Sequence, residues 1–232
     1  MANASIEQST KQKLQNTALD LFSHEGYDQT SIDAIVKKAG VSKGAFYHYF
    51  TTKEEVLEGI IANFAEEIKA LTEQIALNPE ISGREKFNQA VMAIQDYKFA
   101  NLEELLKFDK FLRQGNILDL KLSHELLKKI VESVSQPFEK IIRQGVKEGD
   151  FKTDYPQEIF ELIILLAFYT RSVIIKLSLD FKKHPENLKA IEGKLNFIEE
   201  AITRVLGAKQ GSIKIGWQKI SSLYQKYGEK LK

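Results

Sequence analysis

The sequence predicts an all-α fold: a small N-terminal domain of three helices, then a larger helical domain, about ten helices together. Three observations carry this. Apolar residues recur every three or four positions through most of the chain, the period of a helix with one buried face. Clear breakers, such as Gly40, Asn78-Pro79, Gly149-Asp150, His184-Pro185 and Gly207, separate the periodic stretches. No segment alternates cleanly enough to make a credible strand.

The first helix runs from about Ile6 to His24, with Leu14, Ala18, Leu21 and Phe22 on one face. Thr30-Ser31-Ile32-Asp33 has capping-box spacing, with Thr30 at the cap, and opens a second helix that closes at Gly40. Ser42 caps a third, short helix through Phe50. There Phe46 and Phe50 lie one turn apart on an inward face, while Gly44 and His48 fall on the opposite face with Ala45 and Tyr47 at its shoulders. A glycine inside a helix costs roughly 1 kcal/mol relative to alanine. Gly44 therefore calls for a reason, either a clash avoided within the chain or the close approach of another surface. Helix, tight Gly turn and second helix make a helix-turn-helix, whose second member can lie in the DNA major groove. Thr52 and Glu55 open a long fourth helix to about Leu77, burying Val56, Leu57, Ile60, Ile61, Phe64 and Ile68. The helix starts at Thr30 and Thr52 present N–H groups that suit phosphate oxygens.

These residues carry a family resemblance. Ala18, Leu21-Phe22, Gly26-Tyr27, Thr30, Ile32, Ile35, Ala39-Gly40-Val41-Ser42-Lys43-Gly44, Tyr47, Tyr49-Phe50 and Lys53 resemble the DNA-binding domain of the TetR/AcrR family of bacterial transcriptional regulators. The likeness covers about the first quarter of the chain and keeps every spacing; Phe46 stands where that family more often has Leu or Ile. It implies a homodimeric, ligand-responsive transcriptional regulator, more often a repressor than an activator, acting in the cytoplasm on an inverted-repeat DNA operator. Thr30, Ser42, Tyr47 and Lys53 are then expected on phosphates, and Lys43, Gly44, Ala45 and His48 at base edges. The expected domains are 1–53 for DNA binding, 54–207 for effector binding and dimerisation, and 208–232 as a basic amphipathic helix packed on the second.

Composition agrees with a globular chain. Of its residues 43% are hydrophobic and 28% charged, the formal charge is only +1, and there is no cysteine to form disulfides or thiolate sites. Residues 1–53 hold six lysines and five acids, and residues 208–232 hold six lysines and one glutamate, which leaves the middle acidic. A DNA footprint must therefore be local. The N-terminus has no apolar signal region, and the most apolar stretch is broken by Glu161, Arg171 and Lys176, so no membrane span is expected.

The helix after Tyr155-Pro156 is apolar nearly all round and must be covered on both sides. The next repeats Leu188, Ile191, Leu195, Ile198, Ile202 and Val205 at helical spacing. By the resemblance this pair forms a four-helix bundle with a second subunit, with Ile163, Ile174, Leu195, Ile198 and Ile202 as the expected dimer interface. One large monomer core is the alternative. The resemblance also implies an effector cavity between the fourth helix and this pair. Tyr97, Phe108, Phe111, Phe138, Phe168 and Arg171 are the expected lining, for a small hydrophobic or aromatic ligand. Arg171 could instead pair with a carboxylate at the dimer seam, and Pro137 should kink its helix. In the last segment Ile213, Trp217, Ile220, Tyr224, Tyr227 and Leu231 form an amphipathic stripe, either docked on the body or touching an acidic partner.

Nothing carries reaction chemistry. The four histidines are scattered, no metal-ligand pair, phosphate-binding loop or nucleophile elbow is present, and no cofactor or metal is expected. An all-helical protein-interaction module would explain the aromatic stripes, but would leave Lys43, Gly44 and Lys53 without a reason.

Overall fold

Residues 2–101, 103, 104, 107, 110, 111, 117–178 and 183–216 are described by the structure, a computed structural model. Among them are eight helices and no strand: α1 Ala2–Glu25, α2 Ile32–Ala39, α3 Lys43–Tyr49, α4 Lys53–Leu77, α5 Gly83–Ala100, α6 Ile117–Glu148, α7 Pro156–Ser178 and α8 Asn187–Val205. Positions 103, 104, 107, 110 and 111 are helical as well. None of the described helices is long and apolar enough to cross a membrane.

The chain divides into two compact units, residues 1–66 with 101–129, and residues 67–100 with 130–232. The first unit thus extends past the expected boundary at 53 and recruits a segment from far along the chain. Its core is what the helical periods dictate: Leu14, Ala18, Leu21 and Phe22 of α1, Ile35 of α2, Phe46 of α3, and Val56, Leu57, Ile60 and Ile61 of α4, all nearly excluded from solvent. Phe111 joins that core, its ring centroid 5.9 Å from Phe22 and 6.1 Å from Tyr27. Lys107, one turn before it, pairs with Asp20 of α1 at 3.5 Å.

The second unit closes around four phenyl rings. Phe138 and Phe160 stack at 4.6 Å, and Phe87 meets Phe138 and Phe151 edge-on at 5.7 and 6.0 Å. α6 continues through Pro137 without interruption. At one end α5 and α6 cross with almost no gap. A Cβ on Gly83 would lie 2.2 Å from the backbone nitrogen of Gly145, so only glycine fits. Beside that crossing the buried Lys86 donates to the Ala76 carbonyl (2.9 Å), in the last turn of α4, and to Gln144 Oε1 (2.6 Å). A cation there meets the negative end of the helix.

The chain after α8 departs from expectation. Residues 208–216 are not helical, so the predicted helix over 208–232 does not begin there. Ile213 and Ile215 are buried on either side of the exposed Lys214, which is a strand-like alternation. Asn88 holds this strap, donating from its amide to the Ser212 carbonyl and accepting from the Lys214 N–H, both at 2.9 Å. Trp217, Ile220, Tyr224, Tyr227 and Leu231 lie outside the described residues.

Candidate nucleic-acid interface

The helix-turn-helix is built by local rules. Ser31, extended at φ −97°, caps α2 by accepting from the Ala34 N–H at 3.1 Å. α2 ends at Gly40, whose φ of 63° is left-handed, and whose N–H returns to the Lys37 carbonyl. Two residues later Ser42 caps α3, accepting from the Ala45 N–H at 3.0 Å. Phe46 is fully buried and touches the rings of Tyr47 and Phe50 at 5.5 and 5.9 Å, which fixes the roll of α3 about its axis.

That roll turns Ser42, Lys43, Gly44, Tyr47 and His48 to solvent, with Ala45 half-buried at the edge. His48 rests edge-on against Tyr49 at 4.7 Å. Lys43 donates to Asp33 Oδ1 of α2 at 2.7 Å, and this hydrogen bond holds its ammonium pKa above the ordinary lysine value. A methyl added to Gly44 would meet only its neighbour Ser42 Oγ, at 3.8 Å. Internal packing therefore does not require a glycine there.

Two expected phosphate contacts turn inward. Thr30 is buried, and its hydroxyl donates to the Gly26 carbonyl at 2.7 Å, closing the turn between α1 and α2; the cap is Ser31, one residue on. Lys53 donates to the carbonyls of Tyr27 (2.7 Å) and Thr30 (3.2 Å), with its ammonium 4.3 Å from the Tyr27 ring centroid. Its donors are spent inside the domain. The start of α4 is occupied too: Glu55 accepts from the Thr51 N–H at 2.6 Å, and Thr52 Oγ1 accepts from the Glu55 N–H at 3.2 Å.

Residues 14–60 match the family profile of bacterial regulatory proteins of the tetR family. The chain is 26% identical over 176 residues to the uncharacterised HTH-type transcriptional regulator YhgD of Bacillus subtilis, covering 75% of this chain and 86% of that one. Over 49 residues, 21% of this chain and 25% of the relative, identity reaches 53% with the transposon Tn10 TetC protein of Escherichia coli. A crystal structure described as a TetR-family transcriptional regulator from Syntrophomonas wolfei superposes with a TM-score of 0.61 at 25% identity, covering 84% and 96% of the two chains. SmeT of Stenotrophomonas maltophilia, solved as a complex with triclosan, shares the fold, with a TM-score of 0.63 at 16% identity over 90% and 96%. The N-terminal domain, over residues 14–60, is that of the TetR family. The comparisons support a helix-turn-helix transcriptional regulator of that family, and α3 is the second helix of the motif.

The expected effector residues are divided between the two compact units. Tyr97 and Phe168 are half-buried in the second unit, whereas Phe138 is packed between Phe160 and Phe87 as core. Phe111 belongs to the first unit, packed against Phe22 and Tyr27. Phe108 and the Arg171 side chain lie outside the described residues.

The expected dimer residues are buried in the chain itself. Ile163, Ile174, Leu195, Ile198 and Ile202 are each 3–6% exposed within the single chain and pack in its own core. α7 carries two apolar faces. Phe160, Ile163, Thr170 and Ile174 point inward, while Leu162, Leu165 and Tyr169 stand 49%, 52% and 69% exposed at helical spacing. Phe197 of α8, the helix packed along α7, is 64% exposed. Sequence periodicity finds both faces of an all-apolar helix but does not say which one the chain itself covers.

Sequence reasoning missed Asp33 as the partner of Lys43, having read it only as part of a cap. It missed Asp20, which ties Lys38 of α2 and Lys107 to α1.

Proposed function

We propose that this TetR-family regulator is a cytoplasmic homodimeric repressor that grips an inverted-repeat operator through α3 and is released by a small hydrophobic effector. The observation that carries the DNA reading is Gly44. It sits on the outward face of a short helix, at a cost in helix propensity of roughly 1 kcal/mol, with open space around it. A surface that must come closer than a Cβ allows, such as the edge of a base pair, supplies the missing reason. Lys43 and His48 flank it with donors for base acceptors, and the Ala45 methyl suits a thymine methyl. Ser42 and Tyr47 lie at the margin, where phosphates run.

The exposed face of Leu162, Leu165, Tyr169 and Phe197 supports a dimer, since two-fold symmetry would bring one such patch onto its copy and set two reading helices on one duplex. The effector would enter the second unit near Tyr97 and Phe168. SmeT, with the same fold, was captured with triclosan, which supports a hydrophobic ligand class for this chain. Release requires only that the ligand bind the DNA-free state more tightly than the DNA-bound one.

The test is selection of duplexes by the purified protein from a random library, repeated with Lys43→Ala. A two-fold symmetric consensus that the variant fails to enrich is the expected result. Enrichment of no sequence by the wild-type protein would exclude the reading.

A further inference from the structure

We propose that Asp33 is a specificity-determining residue of the reading surface, holding Lys43 by one of its three donors so that the remaining two address base acceptors rather than any nearby phosphate. The inference rests on the DNA-reading role of α3 and concerns how that role discriminates.

The geometry is simple. Asp33 stands in the first turn of α2, where the positive end of the helix favours an ionised carboxylate. Lys43 opens α3, where the same effect disfavours a cation, so its own helix gives the ammonium no support. The contact between them is 2.7 Å and joins the two helices of the motif on their outer surface, the side chains being 57% exposed at Lys43 and 72% at Asp33. An exposed ion pair adds little to folding stability. Its position beside Gly44 gives it another consequence.

Nonspecific binding is almost wholly the attraction of cations for phosphates, with release of the counterions they displace. Lys43 beside Asp33 is electrically neutral to a passing phosphate, and the carboxylate itself repels one. A guanine edge is different. It offers two acceptors, O6 and N7, to an ammonium that carries three donors and has committed one. Asp33 thus weakens binding to the wrong sequence while keeping Lys43 aimed at the right one.

The experiment measures equilibrium binding of the full chain across a KCl series to two duplexes: the consensus selected by the wild-type protein and a shuffled duplex of the same composition. Asp33→Asn is compared with wild type, Asp33→Glu, Lys43→Ala and the double variant Asp33→Asn/Lys43→Ala. Asp33→Asn is expected to bind the shuffled duplex more tightly, with a log–log salt slope steeper by about 0.9, one more phosphate neutralised. Its preference for the consensus should fall by roughly tenfold, the loss of one oriented base contact. Asp33→Glu should keep most of the preference, and in the Lys43→Ala background Asp33→Asn should change the preference little. Unchanged slope and preference in Asp33→Asn, or the same effect with Lys43 absent, would overturn the proposal while leaving α3 as the reading helix. Failure of the wild-type protein to select any consensus would overturn both.

Discussion

Lys53 reaches back 26 positions along the chain to set its ammonium 4.3 Å from the Tyr27 ring centroid while donating to the Tyr27 carbonyl at 2.7 Å. The turn that delivers α2 is thereby fastened to the first residue of α4. The lysine that the family resemblance places on a phosphate is held within the domain by these contacts.

Lys53→Met should therefore act on stability before it acts on DNA. Charge-assisted hydrogen bonds and a cation over an aromatic face are together worth about 2 kcal/mol. Urea unfolding is expected to show a loss of that order. At temperatures where the variant stays folded, its salt slope for DNA should match the wild type, whereas Lys43→Ala changes sequence preference with little effect on unfolding. A slope reduced by about one in Lys53→Met would return Lys53 to the phosphates.

Gly44→Ala should move stability and function in opposite directions. A methyl there meets nothing nearer than Ser42 Oγ at 3.8 Å, so the helix gains roughly 0.5–1 kcal/mol from the better helix former. The same methyl occupies the space a base edge must enter. A higher unfolding midpoint with weaker binding to the selected duplex is expected; a stabilised variant that binds as well as wild type would show that DNA does not approach α3 at this residue.

What the sequence made legible, and what it did not, follows the range of the physics involved. The capped start of α3, the left-handed Gly40 and the inward ring of Phe46 are local, set by residues within one turn. The cap of α2 slipped by one residue because Thr30 and Ser31 are both competent, and burial of Thr30 decides between them. Phe111 could not be assigned, because its partners Phe22 and Tyr27 lie more than eighty positions away. Asp33 and Lys43 are close in sequence, but their pairing depends on the angle between α2 and α3, which periodicity does not encode. The strap at 208–216 was hidden because Ile213 fits a helical stripe extending toward the C-terminus, whereas Ile213 and Ile215 alone show the two-residue alternation.

Acid should loosen the first unit through Asp20. The hydrogen bond from Lys38 holds its carboxyl below the ordinary aspartate value, with Lys107 and His24 adding to the effect and partial burial opposing it. A group whose folded pKa is depressed stabilises the fold above its unfolded pKa, about 3.9, and loses that contribution as pH falls through the folded value. Asp20→Asn should thus unfold more easily near neutrality and show a flatter decline below about pH 4. Urea midpoints followed from pH 7 to pH 3 would check it; parallel curves for the two proteins would remove Asp20 from the acid response.

The two apolar faces of α7 make assembly and folding separable. Leu165 stands on the exposed face and Ile163 on the buried one, 52% and 6% exposed, although they are two residues apart. Leu165→Glu places a charge where a second copy would press, at a side chain already 52% exposed. It is expected to sediment as a folded monomer, with DNA affinity greatly reduced because a single reading helix spans one half-site. Ile163→Ala instead leaves a cavity in the core, for a loss of about 2–4 kcal/mol, and its folded fraction should still assemble. Sedimentation velocity over a concentration series distinguishes the two. If Leu165→Glu assembles like wild type while Ile163→Ala dissociates, the seam lies on another surface, and the exposed row on α7 must be covered by something other than a second copy.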